Sequence, residues 1–136
     1  MSLIVIAMVM ARLSMTTFVH ASAAPIYPVG DSSVTAPEQA VIIRVPVSDQ
    51  FGRAGELKSI HEVEQKIGQI LTSEKVGELD GDEFGGGNCV IYLYGQDANK
   101  IFAAITPVLT GWQALKGGTV TRRYGSPGSE QNVTKY

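Results

Sequence analysis

Between residues 40 and 124 the spacing of apolar side chains follows one order of periods: two, 3.6, two, two, 3.6, two. A strand repeats every two residues and a helix every 3.6. The order therefore predicts strand, helix, strand, strand, helix, strand. Few small domains accommodate that alternation, so it constrains the fold more tightly than composition does.

Residues 40–48 place Val41, Ile43, Val45 and Val47 on one face and Ile42, Arg44 and Pro46 on the other. Pro46 has no N–H to give a ladder, so pairing stops at or near it. Residues 56–74 set Leu57, Ile60, Val63, Ile67, Ile70 and Leu71 at intervals of three and four, an apolar helical stripe. Glu62, Glu64, Gln65, Lys66 and Gln69 are expected on the opposite side, with His61 a surface residue. Gly68 costs about 1 kcal/mol relative to alanine in a helix, and a close approach to the sheet would explain it.

Residues 76–84 form a poorer strand, interrupted by Gly77 and Gly81. Gly85, Gly86 and Gly87 then turn the chain into residues 88–94, Asn-Cys-Val-Ile-Tyr-Leu-Tyr, the clearest strand in the sequence. Asp97 is a suitable N-cap for a helix over residues 98–109, whose apolar side holds Ile101, Ile105, Val108 and Leu109. Pro107 predicts a kink there, or a fresh start capped by Thr106. Gly117 and Gly118 stop the helix, residues 119–124 form the last strand, and residues 126–136 read as a polar tail.

This order resembles the ferredoxin-like, split βαβ arrangement, an α+β fold. The resemblance implies a four-stranded antiparallel sheet in the spatial order four, one, three, two, with both helices on one face. It covers residues 40–125. Residues 1–39 are read as a leader and proline-rich arm. Within the domain, Leu79-Asp80-Gly81-Asp82-Glu83, then Tyr92-Leu93-Tyr94-Gly95-Gln96-Asp97 and Arg123-Tyr124-Gly125, resemble small bacterial proteins to which no activity attaches.

If the helices cover Val41, Ile43, Val45, Cys89, Ile91 and Leu93, the other face shows Ile42, Arg44, Val90, Tyr92 and Tyr94. One of the neighbours Arg122 and Arg123 joins them, and Arg122 is taken as that residue. Glu78, Asp80 and Asp82 recur every second residue and are expected as an acidic margin. Tyrosine is enriched at interfaces, and a patch of this character calls for a cover. The expectation is a non-catalytic regulatory or accessory domain that pairs through this face, as a homodimer or with another protein. A small anionic ligand gripped by Arg44 and Arg122 or Arg123 is the alternative. Cover by the arm or the tail is the third possibility.

Other chemistries find little footing. The 136 residues carry 11 basic and 13 acidic side chains, a formal charge of -2, which is no nucleic-acid footprint. An RNA-binding version of this fold needs aromatics on both central strands, and the first strand offers Ile42 and Arg44. The acylphosphatase glycine signature is missing after the first strand. Cys89 is the lone cysteine, so no internal disulfide and no multi-thiolate zinc site can form. Cys89 reads as a small core residue. Asp80, Asp82 and Glu83 do not follow a calcium loop. The three glycines are not followed by the Lys-Ser or Lys-Thr of a phosphate loop. No catalytic set, metal or cofactor is expected.

The apolar run at residues 3–11 is shorter than the roughly 20 residues of a membrane span. A cytoplasmic chain with a later start is expected; cleavage after Ala21-Ser22-Ala23 would instead make the protein secreted.

Overall fold

The computed structural model describes residues 38–136. The expected leader, most of the proline-rich arm and the signal cleavage site lie outside the described residues. The described chain is α+β, with two helices and a five-stranded antiparallel sheet.

Strand β1 spans Gln39–Pro46 and alternates in burial as its sequence alternates. Val41, Ile43 and Val45 are fully buried, while Arg44 and Pro46 are exposed. Helix α1 spans Ala54–Glu74 and buries Ile60, Val63, Ile67 and Leu71 at the predicted spacing. One acid shares that stripe: Glu64, four residues after Ile60 and three before Ile67, is buried rather than solvent-facing. The first turn is tied down by Glu56, which accepts from the Arg53 N–H at 2.8 Å and from the N–H and hydroxyl of Ser48 at 2.9 and 2.7 Å. These bonds satisfy donors that a helix start otherwise leaves open. Gly68 does not mark a close approach: a methyl group there would meet nothing within 4 Å.

Strand β2, Glu78–Gly85, turns into β3, Asn88–Gly95. The turn is two residues long. Gly86 and Gly87 both hold positive φ, 59° and 76°, the geometry that matches the twist of a tight hairpin and that glycine reaches without strain. Helix α2, Ala98–Thr110, begins at Asp97, whose carboxylate accepts from the N–H groups of Asn99 and Lys100 at 2.9 and 3.2 Å. It runs on through Pro107 instead of restarting there. A single 3₁₀ turn, Gln113–Leu115, leads to β4, Thr119–Arg123. Trp112 is buried, and its indole N–H donates to Ser59 Oγ at 3.1 Å, joining the end of α2 to α1.

The tail is not merely a tail. Gln131–Lys135 forms β5, antiparallel to β4, so five strands replace the four expected. The sheet order is β2-β3-β1-β4-β5. Its first four members keep the order four, one, three, two. β5 escapes sequence pattern because it is an edge strand, and Gln131, Asn132, Val133 and Lys135 are all exposed. The tail therefore extends the sheet sideways and does not fold across it.

Among the described residues one hydrophobic core lies between sheet and helices. Val41, Ile43, Val45, Cys89, Ile91, Leu93 and Val120 from the strands meet Ile60, Ile67, Leu71, Ile101, Ile105 and Leu109 from α1 and α2. Among the described residues no helix is long and apolar enough to cross a membrane.

Candidate functional site

The sheet register fixes which side chains share the face away from the helices, because directly paired residues point the same way. Ile42 pairs with Tyr92 on β3 and with Thr121 on β4. Arg44 pairs with Val90 and Thr119, and Ala40 with Tyr94 and Arg123. β5 adds Val133 beside Thr121 and Lys135 beside Thr119. Ile42, Arg44, Val90, Tyr92 and Tyr94 thus lie together, as their alternation predicts. Ile42, Val90 and the two tyrosines are half-buried, and Val133 is 54% exposed.

Arg122 does not belong to this face. It pairs with Val41, whose side chain is in the core. Its guanidinium stands 4.7 Å above the Phe102 ring of α2 and donates to Asn99 Oδ1 and Asn132 Oδ1 at 2.9 and 2.7 Å. Arg123 takes the expected place, 6.0 Å from the Tyr94 ring centre. It also donates from Nε to the Gly125 carbonyl at 2.7 Å. Two consecutive arginines on a strand must divide between faces, and their own sequence does not say which way.

The acidic margin is corrected for a related reason. β2 is bulged between Leu79 and Gly81, and an extra residue reverses the alternation beyond it. Glu78 sits beside Tyr94 on the open face, as expected. Asp80 is the extra residue of the bulge and is exposed. Asp82 pairs with the buried Ile91 and faces the helices, while Glu83 pairs with Val90 and takes the open side. The Tyr92 hydroxyl donates to Glu83 Oε2 at 3.1 Å. Partial burial, and then this bond, raise the Tyr92 phenol above its usual 10, so it remains a neutral donor. The margin of the face is Glu78 and Glu83.

Asp82 has a different neighbourhood. Its Oδ2 lies 3.8 Å from His61 Nε2 and 3.9 Å from Cys89 Sγ. Glu64 lies beside them, and its carboxyl is raised above the usual 4.5 by burial first and by the Asp82 charge second. Burial and the same acids push the Cys89 thiol up to about 12, which fits the small core residue read from the sequence. Sequence reasoning placed His61 and Glu64 on the helix surface and missed this grouping. The signal was present: Glu64 interrupts the stripe of Ile60, Ile67 and Leu71, three residues after His61.

Four hollows among the described residues lie away from the open face. One is lined by Gly77, Gly95, Asp97 and Lys100 at the ends of β3 and α1; another lies between α1 and α2 beside Trp112. A third surrounds Gly68, and a fourth lies beside Tyr136. No family model, curated protein or solved structure matches the chain.

Proposed function

We propose that this chain is a non-catalytic interaction module of ferredoxin-like architecture that pairs with a second copy of itself through its open sheet face. The element order of the first six elements, the spatial strand order and the shared core of α1 and α2 support the architecture. On this reading β5 is an addition at the β4 edge.

One observation carries the pairing: the face is graded. Glu78 and Glu83 stand at the β2 edge; Tyr92, Tyr94, Val90 and Ile42 fill the middle, with Arg44 beside Ile42 on β1; Arg123 and Lys135 lie on β4 and β5. A two-fold axis lying between the two faces and parallel to the strands sets the acidic edge of one copy against the basic side of the other. The tyrosines supply large contact area with few rotatable bonds. A regulatory or accessory role suits a module with this surface. The alternative, an anionic small ligand, is weakened because Arg122 is turned to the helical side and Arg123 is engaged by Gly125.

The test is the double substitution Tyr92→Glu with Tyr94→Glu in the full chain. The wild-type chain is expected to elute as a dimer, and the variant as a monomer with unchanged far-ultraviolet circular dichroism. A folded variant that elutes with the wild type would overturn the proposal.

A further inference from the structure

The β2 bulge completes a donor set that helix geometry begins. His61 and Glu64 are three residues apart on α1, so their side chains rise on one flank of the helix. Asp82 reaches them only because the bulge between Leu79 and Gly81 turns it towards the helices. An imidazole nitrogen and two carboxylate oxygens, one donor from each residue, all lie within 4.8 Å of one another.

Glu64 supplies the independent observation. It is only 9% exposed, yet its carboxylate takes no hydrogen bond from any described residue, and its oxygen is aimed at His61 and Asp82. A carboxylate left with only a sliver of solvent contact and no protein donor is costly. The position lies in an apolar stripe where Leu or Ile would pack. A bound cation would supply the missing partner.

We propose that His61, Glu64 and Asp82 bind a divalent first-row transition cation, with zinc the ion their donors match best. Zinc bonds imidazole nitrogen and carboxylate oxygen at about 2.0–2.2 Å, which sets tetrahedral donors roughly 3.3–3.5 Å apart. His61 Nε2 and Asp82 Oδ2, at 3.8 Å, need only a small carboxylate rotation to meet that spacing. Calcium wants six to eight oxygens, and this set has too few. Three protein donors leave a fourth position for water. His61 is on the solvent side, its side chain 58% exposed, which gives an ion its route in. Cys89 Sγ lies 3.9 Å from Asp82 Oδ2, and its thiol donates to that oxygen. It is a positioning residue for Asp82 rather than a ligand.

The site is on the helical side of the sheet, so it is independent of the pairing proposed for the open face. The experiment is calorimetric titration of the full chain with zinc chloride, repeated for His61→Ala, Asp82→Asn, Glu64→Gln and His20→Ala, with cobalt substitution read by visible absorption. One zinc per chain is expected. His61→Ala and Asp82→Asn, both at partly exposed positions, should each weaken it by about tenfold or more, and His20→Ala should leave it unchanged. The cobalt form should show ligand-field bands without a near-ultraviolet thiolate band. Absence of saturable zinc binding by the wild type would overturn the proposal. So would affinity unchanged in both His61→Ala and Asp82→Asn, affinity lost in His20→Ala, or a cobalt–thiolate band.

Discussion

Arg122 and Arg123 are neighbours on β4 that serve opposite sides of the sheet: Arg122 stacks 4.7 Å over Phe102, and Arg123 reaches towards Tyr94 at 6.0 Å. Arg122 joins α2, β4 and β5, because its partners Asn99 and Asn132 stand on α2 and β5. Tyr124 Oη also donates to Asn99 Oδ1, at 3.0 Å. Arg122→Ala is expected to cost about 1–2 kcal/mol in urea denaturation, from two charge-assisted hydrogen bonds and a ring contact at a partly exposed site. Arg122→Lys should recover little, since an ammonium cannot reproduce the planar fork. Arg123→Ala should move stability less.

Glu56 gives the fold an acid limb. Hydrogen bonds from Ser48 and Arg53 hold its carboxyl below the usual 4.5. The folded state thus takes up this proton less readily than the unfolded state. The stabilisation is fully present above the unfolded value of 4.5 and is lost as pH falls through the lower, folded value. Thermal unfolding of Glu56→Gln against pH should be flatter than wild type on the acid side of pH 4.5 and less stable at neutral pH.

Two glycine substitutions should act in opposite directions. Gly68→Ala adds a methyl into open space on α1 and should stabilise by about 0.5–1 kcal/mol. Gly95→Ala would bring Cβ to 2.5 Å from the Val76 carbonyl oxygen, so it should destabilise. Melting temperatures of the two variants against wild type measure both.

Cys89 is fully buried, and its thiol is pushed up to about 12. Thiolate is the reactive form. The native protein should therefore leave a disulfide reagent unconsumed at mildly alkaline pH and consume one equivalent when denatured. Rapid labelling of the native chain would contradict this burial.

The parts of the fold legible in sequence are those where burial enforces a period. Val41, Ile43 and Val45, and Cys89, Ile91 and Leu93, alternate because one side of β1 and β3 is sealed by helices. Asp97 is legible because a cap is local chemistry. What was not legible depends on phase or on exposure. Asp82 and Glu83 exchange faces because a bulge leaves only a glycine, Gly81, as its trace. Arg122 and Arg123 are ambiguous because neither residue type favours a side. β5 is hidden because an exposed edge selects polar residues such as Asn132 and Lys135. The same bulge explains why the His61, Glu64 and Asp82 cluster could be only two-thirds foreseen: the helix pair is in the sequence, while the third donor depends on a phase shift in a distant strand.

The graded face from Glu78 and Glu83 to Arg123 and Lys135 is the surface on which two copies are proposed to meet. Multi-angle light scattering of the full chain over a range of protein concentrations tests it most directly. The expected mass is twice the 14.5 kDa chain, falling towards one chain as salt screens the acid–base edges. A single-chain mass at every concentration in low salt would contradict it.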